Sequence, residues 1–349
     1  MNAKSQTQES STNSRPYITG IDPPFALPGG EVRIVGRHLI GKEFSRPEVR
    51  IGKTEAGITL ASSTLIVAKM PVRPDSSELT VCTPSASNAV KVGVASEIAD
   101  DLHPVSNPAV DAEGNIYVSF SGARGQAVPV SVYKVRPGLA VQPFVSELMN
   151  ATGLALDAAG YLYVSSRYDG TVYRVSPNGS RATYAQGMGV ATGIAFDPEE
   201  NLYVGDRSGT IFKIARDRQI YVFATLEPSV SAYHLAFAPS GNLYVTGPTI
   251  SSFDAVYEID PHGSVREFYR GLGRPQGIAF DVDGNLYVAA SLRGRRGIVR
   301  LTPAGEPSLI LSGSNLVGLA FVPGKAVILA TSNAVHHLEW GIMGQPLWG

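Results

Sequence analysis

A four-strand unit recurs six times between residue 95 and the C-terminus, and this repeat constrains the fold more than any other feature of the sequence. In each unit a first strand with a central alanine is followed, after a turn, by a second strand with a central tyrosine or isoleucine. The alanines are Ala109, Ala155, Ala195, Ala236, Ala279 and Ala320, and the second-strand residues are Tyr117, Tyr163, Tyr203, Tyr244, Tyr287 and Ile328. Steps of about 46, 40, 41, 43 and 41 residues separate the second-strand positions. A period near 40 residues with four strands per unit predicts a six-bladed β-propeller over residues 95–349.

The residue types within each unit fit this interpretation. The first strand is expected to be innermost, where neighbouring blades crowd toward the axis and alanine fits. Tyrosine in the second strand is expected to fill the wider space further out. Turns such as Asp111–Asn115 supply a side-chain acceptor and a permissive glycine between the two strands.

Residues 16–94 have a different pattern, in which short alternating apolar segments are broken by glycine and proline. We predict a small antiparallel sandwich of the immunoglobulin type for this segment, so the whole chain is expected to be all-β. The polar residues 1–15 are predicted to be a disordered tail. The predicted strands lie near residues 18–21, 32–36, 49–52, 64–68, 79–82 and 90–94.

The segment 16–94 resembles the IPT/TIG domain, an immunoglobulin-like module. The resemblance is carried by Pro16-x-Ile18, Gly29-Gly30, Val32-x-Ile34-x-Gly36, Val49-x-Ile51-Gly52 and Ser87-Asn88-x-Val90. It implies an adhesive or spacer module without catalysis. The blade pattern G-I-A-x-D…L-Y-V is similar to NHL repeats and, more loosely, to the gluconolactonase group of six-bladed propellers. That group includes lactonases, lyases and binding platforms, so the resemblance is specific for fold and weak for activity.

Charge and hydropathy exclude several classes of partner. Lys and Arg number 29 against 30 Asp and Glu, and charged residues make up 17% of the chain, which gives no general attraction to nucleic acid or anionic membranes. No apolar run is long enough to span a bilayer. The first residues lack the apolar core of a secretory signal, so we expect a cytoplasmic monomer, or a secreted or periplasmic one if a signal segment is missing.

Candidate site residues come from positions where the repeat is broken. The innermost strand begins with glycine in four blades but with Asn107 in blade 1 and His234 in blade 4, which are diametrically opposed in a six-bladed ring. Both side chains are therefore expected to reach the same axial space. Thr152, Thr192 and Gln276 precede the equivalent position in three blades, and Arg167, Asp206 and Arg207 lie on loops expected on the same face. The structural alternative is that Asn107 caps a turn, His234 is a buried histidine and the arginines form a solvated rim.

Two functional hypotheses follow from these residues. In the first, the protein binds a small anionic ligand or a protein partner at the axial mouth. In the second, Asn107 and His234 hold a divalent cation (Ca, Mg or Zn), with Asp206 assisting, in a metal-assisted lactonase, hydrolase or lyase. The early Glu-Gly-Pro-type motif that supplies a metal-binding Glu in gluconolactonases is missing.

The sequence also predicts how the ring closes. The segment Ala95-Ser-Glu-Ile-Ala-Asp100 matches Val145-Ser-Glu-Leu-Met-Asn150, which is the fourth strand of blade 1 and its exit. Blade 6 has only a short C-terminal tail for its own fourth strand. We therefore expect residues 93–98 to pair onto the outside of blade 6, which removes an exposed edge.

Overall fold

The computed structural model describes residues 15–41, 46–136, 138 and 140–346, and all regular elements in these ranges are β-strands. The predicted all-β fold class is therefore confirmed. The tail predicted for residues 1–15 lies outside the described residues except for Arg15, whose Nε donates to the carbonyl of Ala86. In the described part of the chain, no helix is long and apolar enough to cross a membrane.

The N-terminal domain is a sandwich whose two layers share one strand. In sheet order its strands are Tyr17–Asp22, Glu31–Arg37, Leu65–Lys69, Thr54–Ala61, Glu48–Ile51, Glu78–Cys82 and Val90–Lys91. Thr54–Ala61 pairs with Glu48–Ile51 through its first residues and with Leu65–Lys69 through its last, so it passes from one layer to the other. This strand was not among those predicted, although Ala56, Ile58 and Leu60 alternate along it; only Ala56 of the three is buried.

All but two of the remaining strands in the described residues form six antiparallel groups of four, here called blades 1–6. Blades 1–3 comprise Ala109–Val110, Ile116–Ser119, Val132–Val135 and Gln142–Val145; Ala151–Leu156, Leu162–Ser166, Val172–Val175 and Arg181–Ala185; and Ala191–Phe196, Leu202–Asp206, Thr210–Ile214 and Ile220–Thr225. Blades 4–6 comprise His234–Phe237, Leu243–Thr246, Asp254–Ile259 and Val265–Gly273; Ile278–Phe280, Leu286–Leu292, Arg295–Leu301 and Pro307–Ser312; and Leu316–Phe321, Ala326–Thr331, Val335–Glu339 and Ser96–Ala99. Each innermost strand contacts the next, and that of blade 6 contacts that of blade 1, so the six strands close a ring.

Aromatic side chains fill the space between successive blades, as the sequence predicts. Tyr163 of blade 2 meets Phe196 of blade 3 edge-on with ring centroids 4.9 Å apart, and Tyr203 meets Phe237 of blade 4 at the same distance. These contacts join the core of one blade to the next. The blades are therefore held to one another by the same positions that define the repeat.

The ring is completed by N-terminal chain, in a strand that begins three residues later and ends one residue later than the predicted segment 93–98. Ser96–Ala99 pairs antiparallel with Val335–Glu339 as the fourth strand of blade 6. Gly93–Val94 instead pairs parallel to Phe25–Ala26, which in turn pairs parallel to Pro307–Ser312 of blade 5. The Phe25 ring lies so close to Gly93 that a Cβ there would be 2.4 Å from a ring carbon. Gly93 therefore fits against Phe25, and pairing with blade 6 begins only at residue 96.

Candidate binding face

The loops around one end of the ring axis form a single surface, here called the mouth face. It consists of the loops that lead into the innermost strands and the loops that join second to third strands. In blade 2 the backbone N–H of Arg167 donates to the carbonyl of Asn150 at 3.2 Å, and in blade 3 Arg207 donates equivalently to Val190. The two kinds of loop therefore contact each other, and Arg167 and Arg207 occupy matching positions.

The axis contains a cavity of about 180 Å³ whose lining side chains are mostly apolar. Alanines of the innermost strands and Phe196, Phe237 and Phe280 line it. At the end opposite the mouth face, the C-terminal segment contributes Gln345, whose backbone N–H donates to the carbonyl of Phe280 at 2.9 Å. Among the described residues, the cavity lining contains no charged side chain, and its polar side chains are Asn107 and Gln345.

Asn107 borders this cavity, but its amide is already engaged by the protein. Its Nδ2 donates to the carbonyl of Ile278 at 2.8 Å, and its Oδ1 accepts from the backbone N–H of Leu319 at 3.1 Å. A Cβ at Gly277 would lie 2.0 Å from Asn107 Oδ1, and one at Gly318 would lie 2.6 Å from the same atom. The glycines of blades 5 and 6 thus make room for Asn107, whose side chain ties blade 1 to both.

His234 is 3% exposed at the start of the innermost strand of blade 4. Burial lowers the pKa of its imidazole from 6.5 to about 4, so the side chain is neutral at physiological pH. The expectation that His234 reaches into the axial mouth does not fit this burial. The position corresponds instead to the buried histidine of the structural alternative.

Thr152, Thr192 and Gln276 are occupied by contacts within the ring. The Thr152 hydroxyl donates to the carbonyl of Asn150 at 2.9 Å, and Thr152 is 1% exposed. Thr192 Oγ1 donates to Gly205 at 2.8 Å and accepts from the N–H of Tyr233 at 3.1 Å. The backbone of Gln276, which is half-buried, donates to Ala289 and accepts from a threonine hydroxyl of blade 4. The two threonines hold strands in place, and their hydroxyls do not face the mouth.

Asp206 is also turned into its own loop. Its Oδ1 accepts from the backbone N–H of Val190 at 2.8 Å, and its Oδ2 accepts from the hydroxyl of Ser208. Its carboxyl group therefore shapes the turn and forms no ion pair with the neighbouring Arg207 in the described residues.

Arg167 and Arg207 do come together, and Arg124 of blade 1 joins them. Burial makes the largest contribution to lowering the pKa of the Arg167 guanidinium. The positive charges of Arg207 and then Arg124 lower this pKa further. Arg167 Nη2 donates to the carbonyl of Gly122 at 2.8 Å. None of the three arginines forms an ion pair with a described carboxylate. They make a positive patch, here called the arginine cluster.

The blade 1 loop that carries Arg124 is held by a residue that the sequence analysis did not select. The side chain of Asn150, which is fully buried, accepts from the N–H of Gly125 at 2.7 Å and donates to the carbonyls of Gly122 and Ala123. Asn150 itself adopts φ +49, a conformation that asparagine tolerates. No motif marks this residue in the sequence, because its partners belong to the preceding blade.

The mouth face also exposes large apolar side chains. Ile250 and Phe253 are 94% and 65% exposed on the loop that joins the second and third strands of blade 4. Tyr168, which is half exposed, follows Arg167, and Val230 lies on the loop that leads into blade 4. Ile250 and Phe253 stand out in the sequence as apolar residues in an otherwise polar loop, which is the signal that would have revealed them.

These residues do not fit a divalent metal. The described residues contain no group of three or more His, Cys, Asp and Glu side chains that could hold an ion. Neither predicted ligand is available to a metal ion. Both amide atoms of Asn107 have backbone partners, and His234 is buried with no carboxylate affecting the pKa of its imidazole. The predicted site, in which Asn107 and His234 hold a divalent cation, therefore does not fit the donor atoms that these residues offer.

Comparison with known proteins identifies the N-terminal domain. Residues 16–102 match the family model of the IPT/TIG domain, so this segment is an IPT/TIG domain. The match extends past the predicted boundary at residue 94 and includes Ser96–Ala99, the strand that pairs with blade 6. No curated protein matches the chain.

Solved structures show the propeller-type architecture. A protein provisionally described as a gluconolactonase is similar with a TM-score of 0.60 and 19% identity, over 73% of this chain and 94% of its own. Luciferin-regenerating enzyme is similar with a TM-score of 0.59 and 15% identity, over 73% and 98%. An auxiliary nutrient binding protein from Bacteroides thetaiotaomicron VPI-5482 is similar over 94% and 98%, with a TM-score of 0.53 and 12% identity. At these identities the likeness shows the fold alone.

Proposed function

We propose that this protein is a binding protein that presents its mouth face to an anionic ligand. The observation that carries the proposal is the arginine cluster, in which the positive charges of Arg207 and Arg124 both act on the half-buried Arg167 guanidinium and none of the three forms an ion pair with a described carboxylate. An anion bound there would relieve their mutual repulsion and accept charge-assisted hydrogen bonds. The exposed apolar side chains of the same face favour a ligand, or a partner segment, that also has an apolar part.

In the same proposal the IPT/TIG domain fixes the orientation of this face. Its strand Phe25–Ala26 extends the sheet of blade 5, and Arg295 Nη2 of blade 5 donates to the carbonyl of Asp22 at 2.7 Å. The chain that leaves the domain then becomes the outer strand of blade 6. We assign the blades to the NHL type, since the pattern of alanine, aspartate and tyrosine recurs around the ring.

The alternative function, a metal-assisted lactonase, hydrolase or lyase, has no specific observation in its favour. Of its two predicted ligands, Asn107 is engaged by backbone partners and His234 is buried. Stoichiometric, tightly bound divalent metal in the purified protein would support it over the binding function.

The proposal is tested by titrating citrate into the full-length protein by isothermal titration calorimetry at constant ionic strength. We expect saturable binding to the wild type and about tenfold or greater weakening in Arg167→Gln and in Arg207→Gln, because each removes a charge-assisted hydrogen bond.

The matched control is Arg216→Gln. Arg216 lies at the opposite end of blade 3 and forms an ion pair with Glu200 at 2.6 Å, so its loss removes the same charge without touching the arginine cluster. Equal weakening in all three variants, or no saturable binding to the wild type at millimolar citrate, contradicts the proposal.

A further inference from the structure

A second cavity lies far from the arginine cluster, between blades 6 and 1 where the ring is closed. Its volume is about 770 Å³, against about 180 Å³ for the axial cavity and about 250 Å³ for the corresponding crevice between blades 3 and 4. It is lined by turns of both blades and by Ile98 of the closing strand. We call it the seam groove. Its volume falls within the range of small-molecule sites, roughly 300–1,000 Å³.

The groove exists because blade 6 lacks three side chains that occupy this space elsewhere. In blade 3, Tyr203 reaches Asp197, and Lys213 Nζ lies 3.8 Å from the same carboxylate. Tyr203 and Lys213 are cross-strand partners. In blade 6 the cross-strand partners at these positions are Ile328 and His337, and Val322 replaces the aspartate. Val322 and Ile328 are smaller and apolar, and His337 is shorter than the lysine or arginine found elsewhere, so the crevice stays open.

The floor of the groove is apolar. It includes Ile116 and Val135 of blade 1 together with Val322 and Ile328 of blade 6. Ile98 is 37% exposed although it lies on the strand that closes the ring, where the other side chains are polar or small. An exposed isoleucine beside an open apolar groove extends the surface that a ligand can cover.

The rim carries two acids, Glu113 and Glu339, and two bases, Arg136 and Lys325. Glu113 accepts a hydrogen bond from Asn115 at 3.1 Å, and Glu339 lies 3.5 Å from the imidazole of His337. Arg136 and Lys325 are exposed on opposite sides of the groove, and neither forms an ion pair with a described carboxylate. Both bases are therefore available to pair with an anionic group that enters the groove.

We propose that the seam groove binds an amphiphilic acid, that is, a small molecule with an apolar body and one anionic head group. The body covers Ile98, Val322 and Ile328, and the head group pairs with Arg136 and Lys325. This site does not involve the mouth face. The proposal can therefore be correct or wrong regardless of the function proposed above.

Octanoate and octanol are the probes, because they share one alkyl chain and differ in charge. Both are titrated into the full-length protein by isothermal titration calorimetry. We expect octanoate to bind once per chain and more tightly than octanol. The double charge reversal Arg136→Glu with Lys325→Glu should weaken octanoate by about tenfold or more and leave octanol nearly unchanged. Lys53→Glu, an equally exposed lysine in the IPT/TIG domain, is the matched control and should change neither.

The variant Ile328→Tyr restores the side chain that the other blades carry and should abolish binding of both probes by filling the groove. If Ile328→Tyr does not fold, the charge-reversed variant still tests the proposal, because Arg136 and Lys325 are both exposed. Unchanged octanoate affinity in the charge-reversed protein, or octanoate binding that is lost with Arg167→Gln instead, overturns the proposal.

Discussion

The two faces of the propeller use charge in opposite ways. On the face opposite the mouth, a carboxylate, a tyrosine and a basic side chain form a cluster that recurs from blade to blade. Its members are Asp111, Tyr117 and Lys134; Asp157, Tyr163 and Arg174; Asp197, Tyr203 and Lys213; and Asp281, Tyr287 and Arg300. On the mouth face the matching arginines, Arg167 and Arg207, occur in blades 2 and 3 only, and the arginine cluster forms no ion pair with a described carboxylate. Side chains that recur in most blades hold the sheets together, whereas those confined to one or two blades are not needed to build a blade.

Blades 4 and 6 show what happens when the cluster is altered. In blade 4 the aspartate is replaced by Ala238, and Glu258 on the third strand supplies the carboxylate that accepts from Asn242 and pairs with Arg266. Blade 6 has no such replacement. The first departure preserves the packing of the crevice, whereas the second opens the seam groove.

The largest expected effect is the loss of a repeated carboxylate. Asp281 is 2% exposed and accepts four hydrogen bonds, from the N–H groups of Asp283 and Asn285, from Asn285 Nδ2 and from the hydroxyl of Tyr287. At about 1 kcal/mol for each bond, Asp281→Ala should lower the free energy of unfolding by about 4 kcal/mol. Urea unfolding followed by circular dichroism measures this loss.

Asp260 provides the matched control, because it forms a turn of the same kind at a solvent-accessible position. It accepts from the N–H groups of His262 and Ser264, both at 2.9 Å. Asp260→Ala should cost markedly less than Asp281→Ala. Equal losses would show that the turn alone, and not the buried cluster, stabilises the blade.

A smaller effect is expected from the buried histidine beneath the mouth face. The pKa of His234 is about 4 in the folded protein against 6.5 for an unperturbed histidine. Between these two values the unfolded chain binds a proton that the folded chain does not, so stability falls as the pH falls through this window. The loss between pH 6.5 and pH 4 should approach about 3 kcal/mol.

His234→Gln isolates this contribution, since the pKa of His336 is also lowered by burial and shifts stability in the same direction. Unfolding in urea is measured at several pH values for both proteins. The wild type should lose more stability on acidification than the variant. Parallel curves would mean that His234 is hydrated and accessible to a ligand, as the sequence alone suggested.

The repeat made the propeller predictable, because its alanines and tyrosines sit where every blade has the same neighbours. The role of Asn107 could not be predicted in this way. It depends on Gly277 and Gly318, which are 170 or more residues distant in the chain and become neighbours only when the ring closes. The replacement of glycine by a polar residue was correctly recognised as unusual, but its partners are backbone atoms of other blades.

The residues of the two candidate sites also differ in whether the sequence alone could predict them. Arg167 and Arg207 could be placed on one face, because their loops occupy equivalent positions in consecutive blades. The seam groove could not be anticipated from any one residue, since it results from the joint loss of an aspartate, a tyrosine and a base in blade 6. That loss is visible in the sequence only once the cluster is known from the other blades.

The smallest expected effect concerns Arg295, the first residue of the third strand of blade 5, which forms an ion pair with the IPT/TIG domain. Arg295 forms an ion pair with Asp22 and also donates to the Asp22 carbonyl, whereas Arg167 has no acidic partner. Because the Asp22 carboxylate is about half exposed, Asp22→Asn should lower the free energy of unfolding by only about 0.5 kcal/mol, and less at high salt. Glu48→Gln, which removes the ion pair with Arg50 inside the IPT/TIG domain, is the control. Thermal unfolding at low and high salt measures the loss of stability in both variants.

If Asp22 contributes to the domain contact, Asp22→Asn should also make the IPT/TIG domain and the propeller unfold at more widely separated temperatures. Glu48→Gln should not have this effect. A single transition unchanged by Asp22→Asn would show that the strand Phe25–Ala26 alone holds the domain in place.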